Sequence, residues 1–142
     1  SGACGGTVAI RTSALDGQGN TGVRFLGDFS GTLAIQRGAT TGGGSHGVEL
    51  NVMTGGKVTI AGGAVTGQSS AVKIAGAADS SSSVKVVRST MVATTQHGVH
   101  AALAFSGKMV VAGGSVTATA GSAVKLDANA GTIATFERYF NL

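Results

Sequence analysis

Proline and tryptophan are absent from this 142-residue chain, charged residues make up only 11 %, and the aromatics are five Phe and one Tyr. Cys4 is the single cysteine, which excludes an internal disulfide. No apolar run approaches the roughly 18 residues of a membrane-spanning helix, so no such helix is expected. No secretory leader is recognisable either, and the chain reads as a mature or excised segment. Its formal charge is only +4, and few aromatics are present for stacking bases. Nucleic acid is therefore not an expected partner.

What is abundant is glycine, with 25 residues, together with Val, Ala, Ile, Leu and Thr. Glycine without a triplet period excludes collagen and points to many tight corners. β-Branched residues suit a pleated sheet better than a helix, and a mean hydropathy of +0.31 is too high for a disordered chain.

These residues recur with a period near 25. Gly22-Val23, Gly47-Val48, Ala71-Val72, Gly98-Val99 and Ala123-Val124 each open an alternating apolar–polar–apolar stretch, the mark of a strand with one buried face. A second column follows: Val8/Ile10, Leu33/Ile35, Val58/Ile60, Val84/Val86, Met109/Val111 and Ile133/Thr135. A third reads Leu15, Thr40, Val65, Val92, Val116 and Phe140.

Three columns with one period predict an all-β fold, a right-handed parallel β-helix with three strands and about 25 residues per turn, in five to six turns. Residues 1–142 form one segment of it, expected to be a fragment of a longer solenoid. Gly62-Gly63 and Gly113-Gly114 share a corner where positive φ is expected. The third turn is longest, with its excess assigned to Ala77–Ser83 between the first and second strands. Phe136, Tyr139 and Phe140 either close the last turn or pack on turns beyond it.

Residues that carry chemistry are sparse. Of six acids, only Asp28 and Asp127 align, in the first loop and four turns apart, too distant for paired glycosidic catalysis. Gly43-Gly44-Ser45-His46-Gly47 fits the string of a serine-hydrolase elbow but precedes a strand instead of a helix. His46 and His97 occupy matching corners two turns apart, too far to share a metal, and all three histidines are expected at the surface. No catalytic, cofactor or metal site is expected. The outward column of the first strand is Arg24, Glu49, Lys73, His100 and Lys125. It reads either as an ordinary solvated ladder or as a weak basic stripe, with Arg24, Lys73, His100 and Lys125 as contacts for an acidic protein or glycan.

Gly55-Gly56-Lys57-Val58-Thr59-Ile60-Ala61-Gly62-Gly63-Ala64-Val65 and Gly107-Lys108-Met109-Val110-Val111-Ala112-Gly113-Gly114-Ser115-Val116 resemble passenger domains of bacterial autotransporters, the pertactin-like group above all. The resemblance runs from Val8 to about Phe136. It implies export through a C-terminal translocator barrel in the parent protein, and display at the bacterial surface or secretion. It also implies a non-enzymatic role in adhesion or in immune and complement evasion, by capture of a host extracellular or serum protein. A fragment of a β-helical carbohydrate-active enzyme whose catalytic turns lie elsewhere, and a purely structural stalk, remain open alternatives.

Overall fold

Inward-facing Val, Ile and Leu repeated every 25 residues cannot be buried by one turn alone. Stacking successive turns covers each apolar rung with the next. The computed structural model describes residues 4–128 and 133–137, the latter and residue 128 as backbone only, and shows this stack. It is an all-β solenoid of about five turns in which every strand pairing is parallel.

The first three turns each carry three short strands. They are β1 (Thr7–Arg11), β2 (Ala14–Asp16) and β3 (Val23–Phe25), then β4 (Thr32–Gln36), β5 (Ala39–Gly42) and β6 (His46–Leu50), then β7 (Lys57–Ala61), β8 (Ala64–Gly67) and β9 (Ser70–Ile74). In the next two turns the second and third strands run on as one, giving β10 (Ser83–Ala93) and β12 (Lys108–Ala118). These alternate with β11 (Val99–Ala104) and β13 (Val124–Ala128), and β14 (Ile133–Glu137) follows. One five-stranded ladder runs β3-β6-β9-β11-β13, and the remaining strands form the other sheet.

Leu33, Ile35, Val48, Leu50, Val58, Ile60, Val72, Ile74 and Val84 are fully buried, which bears out the first two columns from the second turn to the fourth, while in the first turn Val8 is exposed and Val23 and Phe25 are half-buried. A rung that the sequence pattern did not expose lies between the first and second strands. Cys4, Phe29, Met53, Ala78 and Phe105 form one parallel bridge per turn, and Phe29, Met53, Ala78 and Phe105 are buried.

Two registers differ from those expected. Met91, not Val92, stacks on Val65 and is fully buried. Both residues are apolar, so alternation alone does not choose between them; the corner at Arg88 does. Likewise Met109 and Val111 pair with Ala134 and Phe136, one residue beyond the expected Ile133 and Thr135. Phe140, assigned to the third column, lies outside the described residues, as does Tyr139 with it.

The extra length of the third turn is divided. One residue enters before β10, where Asp79 Oδ1 accepts hydrogen bonds from the Ser81 and Ser82 hydroxyls and from the Gly55 and Ser81 amides. The other enters the Thr94–His97 corner, where the amides of both Thr94 and Thr95 reach the Gln68 carbonyl.

Gly62 and Gly113 do adopt positive φ, 64° and 55°. By register they belong to a left-handed residue repeated at one corner of each turn, and Thr12, Arg37 and Arg88 supply it elsewhere with φ of 49°, 56° and 48°.

Candidate functional site

Two outer faces carry most of the charge. The first is the outward side of the five-stranded ladder. The register places Arg24 beside Glu49, Glu49 beside Lys73, Lys73 beside His100 and His100 beside Lys125, the column expected from sequence. Its electrostatics differ from a basic stripe. Arg24 Nε lies 2.9 Å from Glu49 Oε2. Asp127 bridges two members of the column, with Oδ2 2.6 Å from His100 Nε2 and Oδ1 3.0 Å from Lys125 Nζ. These hydrogen bonds, from His100 first and then Lys125, hold the Asp127 carboxyl below the usual carboxylate range. Lys73 is left as the cation of this face without an ion pair among the described residues.

Asp127 was expected in a loop aligned with Asp28. It stands instead in β13, two residues after Lys125, and therefore on the same side of the strand. The alternation Lys125-Leu126-Asp127 carried that signal.

The histidines also depart from the expected surface positions. His46 is 6 % exposed and His100 9 %. Burial first, and then the nearby Lys73 charge, push the His46 imidazole below its ordinary pKa. The His97 ring meets that of His100 edge-on at 4.8 Å, and its Nδ1 accepts a hydrogen bond from the Ser122 amide. Burial, followed by the neighbouring His100 and Lys125, lowers the His97 pKa. An Asp-held imidazole resembles the orienting half of a nucleophilic triad, but the other nitrogen of His100, Nδ1, is buried without a partner. It presents no accessible base to a substrate. Among the described residues no group of three His, Cys, Asp or Glu side chains could hold a metal ion.

The second face lies where the second and third strands meet at the left-handed corner. A groove of about 1170 Å³ opens there, lined by Ser83, Lys85, Arg88, Thr90, Lys108 and Ser115 among others. A smaller depression of about 510 Å³, with Arg37 and Gly62 in its wall, continues along the same corner and shares Thr90. Lys57, Lys85, Arg88 and Lys108 are all exposed. No carboxylate among the described residues pairs with any of them. The sequence places these cations on the second strand and its corner but does not show the groove that opens there.

Comparison with protein-family models, with curated proteins and with solved structures finds no match to this chain. The solenoid and the two charged faces are therefore the grounds on which its function is read.

Proposed function

We propose that this chain is a segment of a non-enzymatic, pertactin-like autotransporter passenger, displayed on or secreted from a bacterium, that docks a host extracellular or serum protein. The observation that supports this reading is the regular stack of about five turns of roughly 25 residues. Repeated parallel ladders make long, rigid faces, and each outward position offers one side chain per turn. A partner protein meets such a face without the ordering penalty of a mobile loop.

On the five-stranded face the expected contacts are Arg24, Lys73, His100 and Lys125. Ion pairing and burial leave Lys73 as the one whose charge is least compensated.

A pull-down from human serum and matrix extract, with this chain as bait and mass spectrometry as readout, tests the proposal. The expected result is a specifically enriched host protein whose capture falls when Lys73→Glu is introduced. An empty pull-down from a folded, β-rich sample contradicts it.

A further inference from the structure

We propose that the corner groove at Lys85, Arg88 and Lys108 is a binding site for an acidic polysaccharide, a sulfated or uronate-containing glycan chain. The inference rests on reading the chain as an extracellular binding module, but it concerns a different face and a different class of ligand from the host protein above.

The first support is the division of charge. On the five-stranded face, Glu49 and Asp127 neutralise their neighbours. Six of the ten Lys and Arg residues, Arg11, Arg37, Lys57, Lys85, Arg88 and Lys108, stand instead on the second strand or its corner. Asp79, just before β10, is the nearest carboxylate along the chain, and its Oδ1 is engaged by Ser81, Ser82 and Gly55; no carboxylate among the described residues lines the groove itself. A concave wall with one sign of charge focuses its field on a polyanion.

The second support is the backbone at Arg37 and Arg88. A non-glycine residue held at φ of 56° or 48° is disfavoured relative to glycine. Gly62 and Gly113 show that glycine serves at the same corner in neighbouring turns. The arginines, like Thr12 in the first turn, stand where a left-handed backbone favours glycine, and strain retained at a concave site points to a role for the side chain. Their placement is compatible with that role. A Cβ on Gly62 would lie 3.9 Å from Arg37 Cγ, and one on Gly113 would lie 3.7 Å from Arg88 Cγ. Both are ordinary van der Waals distances, so each arginine stem lies beside the corner glycine of the following turn without crowding it.

Spacing and lining favour a glycan over nucleic acid. Arg37 and Arg88 are two turns apart, as are Lys57 and Lys108. That is roughly 10 Å along the stack, close to the length of one extended disaccharide. Lys85 and Lys108, on adjacent strands, stand roughly 8 Å apart by strand geometry. The Ser83, Thr90 and Ser115 hydroxyls suit sugar hydroxyls, and no aromatic side chain lines the groove for stacking bases.

The experiment is direct binding of the folded chain to heparin, polygalacturonate, neutral dextran and poly-dT, each at low and at physiological salt. Saturable, salt-sensitive binding to heparin or polygalacturonate, with none to dextran, is expected; binding to heparin alone assigns recognition to sulfate, and binding to polygalacturonate shows that carboxylate suffices. Lys85→Gln with Lys108→Gln weakens it about tenfold. Gln68→Glu with Ala77→Glu, which lowers the net charge equally away from the groove, leaves it within about twofold. Arg88→Gly also weakens binding, while its unfolding midpoint stays level or rises, separating ligand contact from folding. Absence of binding to both acidic glycans, tighter binding to poly-dT, or equal losses in the two charge-changing pairs overturns the proposal. Serum-protein capture that persists alongside such a failure leaves the host-protein reading standing and removes only this site.

Discussion

A buried imidazole close to a lysine ammonium resists protonation. His46 faces Lys73, Glu49, His100 and Arg24; burial and the Lys73 charge outweigh the Glu49 carboxylate and lower its pKa. The unfolded chain then binds more protons than the native one as the pH falls below about 6.5. The stabilisation is present in full above that value. It is lost progressively as the pH falls toward the depressed folded-state pKa. His97 shifts in the same direction and adds to the trend. The expected outcome is a lower urea midpoint at pH 5.5 than at pH 7.5. His46→Ser, which places at this position the residue that Ser70 supplies one turn on, reduces that difference. A midpoint independent of pH in the parent chain contradicts this. None of it was legible in sequence, because the position holds His, Ser and His in different turns amid glycine. Only the packing of the corner shows that the ring is enclosed. The Asp127 pairing was legible in principle, since an alternating strand puts Lys125 and Asp127 on one side.

At the scale of the strand and its corner, the Gly-Val signal that revealed the period has a steric cause. A Cβ on Gly22 would come 2.7 Å from Thr40 Cγ2, and one on Gly47 would come 2.5 Å from Val65 Cγ1. Val116 crowds Gly98 in the same way. Where the corresponding residue is Ala71, the third-strand position one turn on is Met91, which is not β-branched. Backbone carbonyls close the same space, those of Ala71 and Thr66 lying 2.7 and 2.8 Å from that point on Gly47. Of the two obstacles, only the stiff β-branched side chain is one that methionine, by turning aside, would remove. Gly47→Ala is accordingly expected to destabilise the chain by about 1–3 kcal/mol. Adding Val65→Met recovers the side-chain part of that loss and leaves the part due to the backbone carbonyls, a coupling measurable by urea denaturation of the two single variants and the double variant. Strict additivity contradicts the steric account. Column spacing in the sequence located the strands of the first four turns well. It misplaced Val92 because Met91-Val92 offers two apolar choices, and the backbone at Arg88 decides between them.

For the whole molecule, stacking converts a one-dimensional repeat into two faces of different electrostatic character. One is cross-paired through Glu49 and Asp127; the other gathers Lys85, Arg88 and Lys108 in a groove. The solenoid itself was legible because every turn repeats the same inward apolar positions. The groove was not, since concavity arises from the angle between strands at a left-handed corner, which side-chain periodicity does not encode. Both faces depend on parallel, in-register stacking, and that can be measured across the stack. Ala9, Ala34, Thr59, Lys85 and Val110 succeed one another in a single column, so Ala9 and Val110 stand four turns apart, roughly 19 Å. The test is pulsed electron–electron resonance on nitroxides attached at Ala9→Cys and Val110→Cys, with Cys4→Ser to remove the native thiol. A single narrow distance distribution is expected, centred within the reach of the two label arms of that value. A broad distribution, or one centred beyond that reach, contradicts the stacked solenoid and both functional faces built on it.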